Sequence, residues 1–201
     1  MQESAVPTDG RAARAARTRS AIVDATVALV EEGDLRPTAP RIAERAGVSV
    51  RSVFQHFDDL PSLHTAVVQR VLERLAVLVV PVDPGRPLEE RITTFTRQRS
   101  ALLEAVTPFR RAAAVHGPFA PEIRRAIAEG SAFLRSEVEQ VFAPELASME
   151  ATERREVVGA VAATSSWAVW DALRAEMGHS PEQAGAVVER TLRSLLAVAP
   201  T

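Results

Sequence analysis

The chain has 201 residues, 46% of them apolar, which suits one extended helical domain or two small ones and excludes wholesale disorder. It has no cysteine, so a disulfide framework and thiolate chemistry are excluded, and a metal site would have to use His and carboxylates. The net charge of −2 hides an asymmetry: between Arg11 and Phe57 eight arginines face five carboxylates, and the excess acid lies elsewhere.

Residues 1–17 contain Pro7, Gly10 and an Ala/Arg run, and read as a flexible basic arm. Arg11, Arg14 and Arg17 are three apart, so they would share one face if the segment became helical. Either the arm is a solvated tail, or it orders on phosphates or in a minor groove. A first long helix is expected over Thr18–Glu32, with Ile22, Ala25, Leu29 and Val30 turned inward and Gly33 ending it.

Thr38 to Phe57, TAPRIAERAGVSVRSVFQHF, predicts two short helices joined by a tight turn. Thr38 is the expected N-cap of the first, Pro40 falls in its first turn, and Ile42, Ala43 and Ala46 form a short apolar face. Gly47 stops that helix by tolerating a left-handed conformation, and Ser49 caps the next. Val53 and Phe57, four apart, point to the core, while Val50, Arg51, Ser52, Phe54, Gln55 and His56 remain for the outer face. An ordinary solvated helix surface carries Glu and Lys; this one carries neither. Arg pairs bidentately with the guanine major-groove edge, Gln does so with adenine, and Val meets a thymine methyl. Ser, Thr and His supply short polar contacts to phosphates or bases. The face suits double-stranded DNA.

Residues from about Thr18 to His64 resemble the DNA-binding domain of the tetracycline-repressor (TetR) family of bacterial regulators. The matching stretches are TRSAIVDATVALVEEG, T-x-x-x-IAERAGVS and VFQHF. Three positions depart from the family pattern. Phe54 stands where Tyr is most common, Leu60 where Lys usually opens the fourth helix, and Ser52 where Thr is frequent. The first two remove phosphate contacts, which implies weaker affinity and a flatter salt dependence. The resemblance implies an N-terminal three-helix helix-turn-helix domain, a helical ligand-binding and dimerisation domain, and a homodimer reading a palindromic operator. The expected boundary is near residue 60, with 1–60 binding DNA and 61–201 binding effector and partner.

Beyond Phe57 the expected fold is all-α. A helix over 60–80 would connect the head to the body, and Pro81, Pro84, Gly85 and Pro87 then break the chain. Five further helices are expected at about 88–106, 108–116, 119–142, 152–177 and 181–198, with a capping box at Ser180-Pro-Glu-Gln183. The body's aromatic residues are read first as core. The resemblance adds a second reading, a cavity for a small, mostly apolar effector. Phe95, Arg99, Leu102, Phe109, His116, Phe133, Trp167 and Trp170 are its candidate lining, with Arg99 or His116 as polar anchor. Val157 to Thr164 and Val187 to Leu196 are rich in small and branched residues, which fits pairing of the last two long helices with a symmetry mate or the inner core of one chain.

Catalysis finds little support. Glu176-x-x-His179 has the spacing of a di-metal ligand motif, but no second copy exists and Gly178 interrupts it. No Gly-rich phosphate loop, nucleophile elbow or His-Glu-x-x-His occurs, so no enzyme and no cofactor are expected. No apolar run approaches a membrane span, and no signal-peptide core opens the chain; the expected location is the cytoplasm. The sequence reads as a ligand-responsive repressor. The alternative is a helical small-molecule- or partner-binding protein whose head has weak or lost DNA binding.

Overall fold

A computed structural model describes residues 8–116 and 120–197. The fold is all-α, with no strand among the described residues. Among the described residues ten α-helices follow in order: α1 (Thr8–Glu31), α2 (Ala39–Ala46), α3 (Val50–His56), α4 (Leu60–Ala76), α5 (Leu88–His116), α6 (Pro121–Val141), α7 (Ala143–Ala147), α8 (Ala151–Thr164), α9 (Trp167–Asp171) and α10 (Pro181–Leu196). The chain forms two compact units. One holds the residues up to Arg74 together with Pro108–Arg124, the other Leu75–Thr107 and the residues from Arg125 onward.

The N-terminal unit is built on α1, which starts at Thr8, ten residues before the expected Thr18. Ala-rich sequence favours that extension, and Arg11, Arg14 and Arg17 stand exposed on it. Ile22, Ala25, Leu29 and Val30 are buried as the 3.6-residue period requires, joined by Val23 and Val27. Ile42 and Ala43 of α2, Val53 and Phe57 on α3 and at its end, and Leu63 and Val71 of α4 are buried too. The α1 terminus is closed by Gly33 at φ +93°, where Asp34 N–H donates to Leu29 O at 2.9 Å. Ion pairs tie α4 to α1: Arg70 pairs with Asp24, and Arg74 reaches Glu31 at 3.2 Å and Asp24 at 3.3 Å. Burial works to raise the Asp24 carboxyl, but the hydrogen bond and charge of Arg70, with Ser20 and Arg74, hold it below its ordinary value.

The second unit has its own core. Ile92, Phe95 and Leu103 of α5 meet Val138 and Val141 of α6, Phe142, Val158 and Val161 of α8, Trp170 of α9, and Val188, Leu192 and Leu196 of α10. Phe95 and Phe142 stack edge to face, centroids 5.4 Å apart. Arg91, almost fully buried, grips Glu145 with two hydrogen bonds of 2.7 and 2.5 Å and donates to Val141 O at 2.8 Å.

The helical pattern departs from expectation at three places. No break falls at Thr107-Pro108: α5 runs through Pro108, and the Thr107 hydroxyl donates to Leu103 O at 2.6 Å. Pro108 forfeits one helical N–H, a local cost that burial of Leu102, Leu103 and Ala112 on the same helix outweighs. The helix expected over 152–177 is broken at Ser165-Ser166 instead. Ser165 is fully buried and bonds back to Val161 O, while Ser166 caps α9. A π-helical turn, Ala172–Glu176, follows, and Gly178 at φ +69° ends it. Glu176-x-x-His179 therefore straddles a helix end. The short helix α7 was not anticipated. The capping box at Ser180 is present in both directions, 2.8 Å from Ser180 N to Gln183 Oε1 and 3.2 Å from Gln183 N to Ser180 Oγ.

Candidate nucleic-acid interface

Two caps and a glycine shape the α2–α3 pair. Thr38 holds the N-cap conformation of α2, but its hydroxyl accepts no backbone N–H. Pro40 at the second helical position removes one of the two N–H donors that a cap hydroxyl can serve, leaving that of Arg41. Gly47, at φ +66°, ends α2 with its N–H on Glu44 O at 3.2 Å. A side chain there would be strained, so the glycine sets the turn. Ser49 caps α3 by accepting from Ser52 N–H at 3.1 Å.

Helix α3 is anchored by Val53 and Phe57, both nearly inaccessible. Its other face is open. Arg51 and Gln55 are exposed, Ser52 and His56 half-buried, and Val50 and Phe54 are 39% and 63% exposed. The far end of α3 is clamped by Arg19: its Nη1 donates to His56 O at 2.7 Å, and its guanidinium lies 4.1 Å above the Phe57 ring. Arg19 was not singled out from the sequence. Its partners lie 37 and 38 residues away, beyond any local pattern.

Apart from Arg19, the unit's arginines up to Arg74 divide into two sets. Arg41 pairs with Asp34 at 2.5 Å, Arg45 with Glu32 at 2.6 Å, and Arg70 and Arg74 with α1 carboxylates. Arg11, Arg14, Arg17, Arg36 and Arg51 are exposed and have no ion pair among the described residues. The second set has charge to offer an external anion without giving up an ion pair among the described residues.

The candidate ligand residues are differently placed. Phe95 and Trp170 lie in the packed core of the second unit, and the Trp170 indole donates to Glu104 at 2.7 Å. Arg99, 3% exposed, sits 4.5 Å from the Phe95 ring and bonds Glu137 at 2.8 Å and Ser165 O at 3.2 Å. Burial pushes its guanidinium below the ordinary arginine value, against the Glu137 charge. Arg99 and Leu102 share a shallow open depression with Leu78, Val79, Gln98 and Glu137. Trp167 is half-buried and donates to Thr107 Oγ1 at 3.2 Å, Phe109 is half-buried, and Phe133 is 55% exposed. The side chain of His116 lies outside the described residues. The structure thus brings Phe95, Arg99 and Leu102 together and sets Phe133 at the surface.

An anchored short helix with an open polar face, behind a glycine turn and a buttressing first helix, defines a helix-turn-helix DNA-binding protein. Residues 22–59, within the N-terminal unit, match the family model of the bacterial regulatory proteins, tetR family. Solved structures share the fold over nearly the whole chain. A transcriptional regulator from Rhodococcus sp. RHA1 is 18% identical, with 93% of this chain and 98% of that one covered and a TM-score of 0.67. A TetR-family transcriptional regulator structure from Mesorhizobium loti is 18% identical over 92% and 98%, TM-score 0.63. The multidrug binding protein EbrR, complexed with imidazole, is 19% identical over 86% and 93%, TM-score 0.58. At these identities the likeness concerns the fold. No curated protein matches the chain significantly. No described helix is long and apolar enough to cross a membrane.

Proposed function

We propose that the chain is a homodimeric, ligand-responsive repressor that leaves a palindromic operator when a small, mostly apolar effector binds its helical body. The observation that carries this reading is α3: a capped, clamped helix whose exposed face holds Arg51, Gln55 and Val50 with no polar or ionic side-chain partner among the described residues. In this reading Arg51 takes a guanine edge, Gln55 an adenine edge, and Val50 and His56 neighbouring base edges. Thr38, Ser49 and Ser52 hold phosphates. The Thr38 hydroxyl is uncommitted to capping, and Ser49, which accepts at its oxygen, keeps its proton to donate.

Residues 1–60 carry the DNA-reading role and 61–201 the effector and dimer roles. Helices α8 and α10 are the proposed dimer surface: Val158, Val161, Val188 and Leu192 face inward, and Gly159, Ala163, Ala186 and Val187 remain accessible to a second copy. Release is a population shift, in which the effector prefers a head spacing that does not fit the operator. Enrichment of bound duplexes from a random library tests the reading. A palindrome with half-sites one helical turn apart, or a multiple of it, is expected. A folded, dimeric protein that enriches nothing overturns it.

The second reading, a binding protein whose head has weak DNA affinity, is favoured by Arg41, Arg45, Arg70 and Arg74 being tied to carboxylates of the same unit. Nonspecific duplex titrated at varied salt separates the two. A steep decline with salt supports the first, and no binding at low salt supports the second.

A further inference from the structure

On α3 the side chains that bury are Val53 and Phe57, yet the bulkiest side chain on its open face is also apolar. Phe54 is 63% exposed, and Val50, four residues earlier and so on the same side of the helix, is 39% exposed. Together they form an apolar strip flanked by Arg51 and Gln55. The strip stands on a firm base, because Ser49 caps one end of α3 and Arg19 holds the other. Among the described residues the Phe54 ring enters no ring–ring or cation–π pair.

We propose that Phe54 is a specificity-determining residue that, with Val50, reads the C5-methyl group of a pyrimidine, thymine in unmodified DNA, in each half-site. The inference rests on the DNA-reading role proposed above and adds the base chemistry. A phenyl ring offers neither donor nor acceptor, so it cannot hold a phosphate or bond a base edge. The apolar feature that a major-groove floor offers to such a ring is the pyrimidine methyl. Arg51 and Gln55 beside it hydrogen-bond, so the same helix face combines one methyl contact with polar readout.

The test uses the full-length protein and the duplex enriched from the random library, with each thymine replaced in turn by deoxyuridine, which removes only the methyl. One position per half-site is expected to weaken binding about fourfold, the value of one buried methyl, and about sixteenfold when both half-sites are changed. Replacing that base pair with 5-methylcytosine·guanine should keep more affinity than cytosine·guanine. In Phe54→Ala, which alters an exposed side chain and leaves the α3 anchor intact, the deoxyuridine penalty should shrink while thermal unfolding is unchanged. Absence of a deoxyuridine penalty at every position overturns the proposal, as does a penalty that persists undiminished in Phe54→Ala. Failure to enrich any duplex instead removes the DNA-reading role itself, and this inference with it.

Discussion

The open face of α3 and the arginines of the second unit are opposite solutions to the same problem. Arg51 and Gln55 project from a helix whose other side is locked in the core, and they have no partner within the described residues. Arg91 and Arg99 are as buried as the leucines around them, and each is consumed by internal acceptors: Glu145 and Val141 O for one, Glu137 and Ser165 for the other. The difference shows where a charged side chain has capacity left for an outside molecule. A cation satisfied by its own fold adds to structure first, because a ligand would have to displace a partner before contributing anything.

The contrast breaks most visibly at Arg99. Glu137→Ala leaves a buried guanidinium short of its counter-charge, and a loss of about 3–5 kcal/mol in urea or thermal unfolding is expected. A change below about 0.5 kcal/mol would mean that the pair is dispensable and Arg99 is free to serve a ligand.

Glu145 sharpens the comparison through pH. Burial works to raise its carboxyl, but the Arg91 hydrogen bonds, a backbone hydrogen bond and the Arg91 charge hold it below the ordinary value. A carboxyl depressed in the folded state binds its proton more readily when unfolded. Its stabilisation is therefore complete above the ordinary Glu pKa and lost as pH falls through the lower folded value. Glu145→Gln should cost about 2–3 kcal/mol at neutral pH, by loss of charge-assisted hydrogen bonds, and flatten the acid limb of the stability profile. An unchanged acid limb would show that Glu145 is not among the groups that set it.

On the open face the expected losses are in binding instead. Arg51→Ala should weaken operator binding by about 1–3 kcal/mol and relax preference at one base pair, with unfolding unchanged. Equal loss on operator and random duplex would reassign Arg51 to a phosphate.

The smallest effect belongs to Thr96, whose buried hydroxyl has no hydrogen-bond partner among the described residues. Thr96→Val keeps the shape and removes that group, so a gain of about 1 kcal/mol is expected. Destabilisation would reveal a partner for the hydroxyl that the fold supplies in solution.

Much of the head was legible because its signals are local. The Gly47 turn, the Ser49 cap and the alternation of Val53 and Phe57 with Arg51 and Gln55 each operate within a few residues. Thr38 takes the N-cap backbone conformation that the local sequence predicts, without the side-chain bond. The long-range bonds of Arg19 and Arg91 were not legible, since the acceptors are 37 residues away for Arg19 and 50 and 54 for Arg91.

By itself the sequence determined the all-α class, the α2–α3 pair, which side of α3 is left for an outside partner, and the Ser180 capping box, because capping, glycine dihedrals and helical periodicity are set by neighbours along the chain. Tertiary structure alone decided that α5 survives Pro108, that the stretch around Ser165 breaks and re-forms through a π-helical turn, and that Arg91 and Arg99 enter the core. In each of those places packing and hydrogen bonds to distant residues outweigh a local preference of only a few kcal/mol.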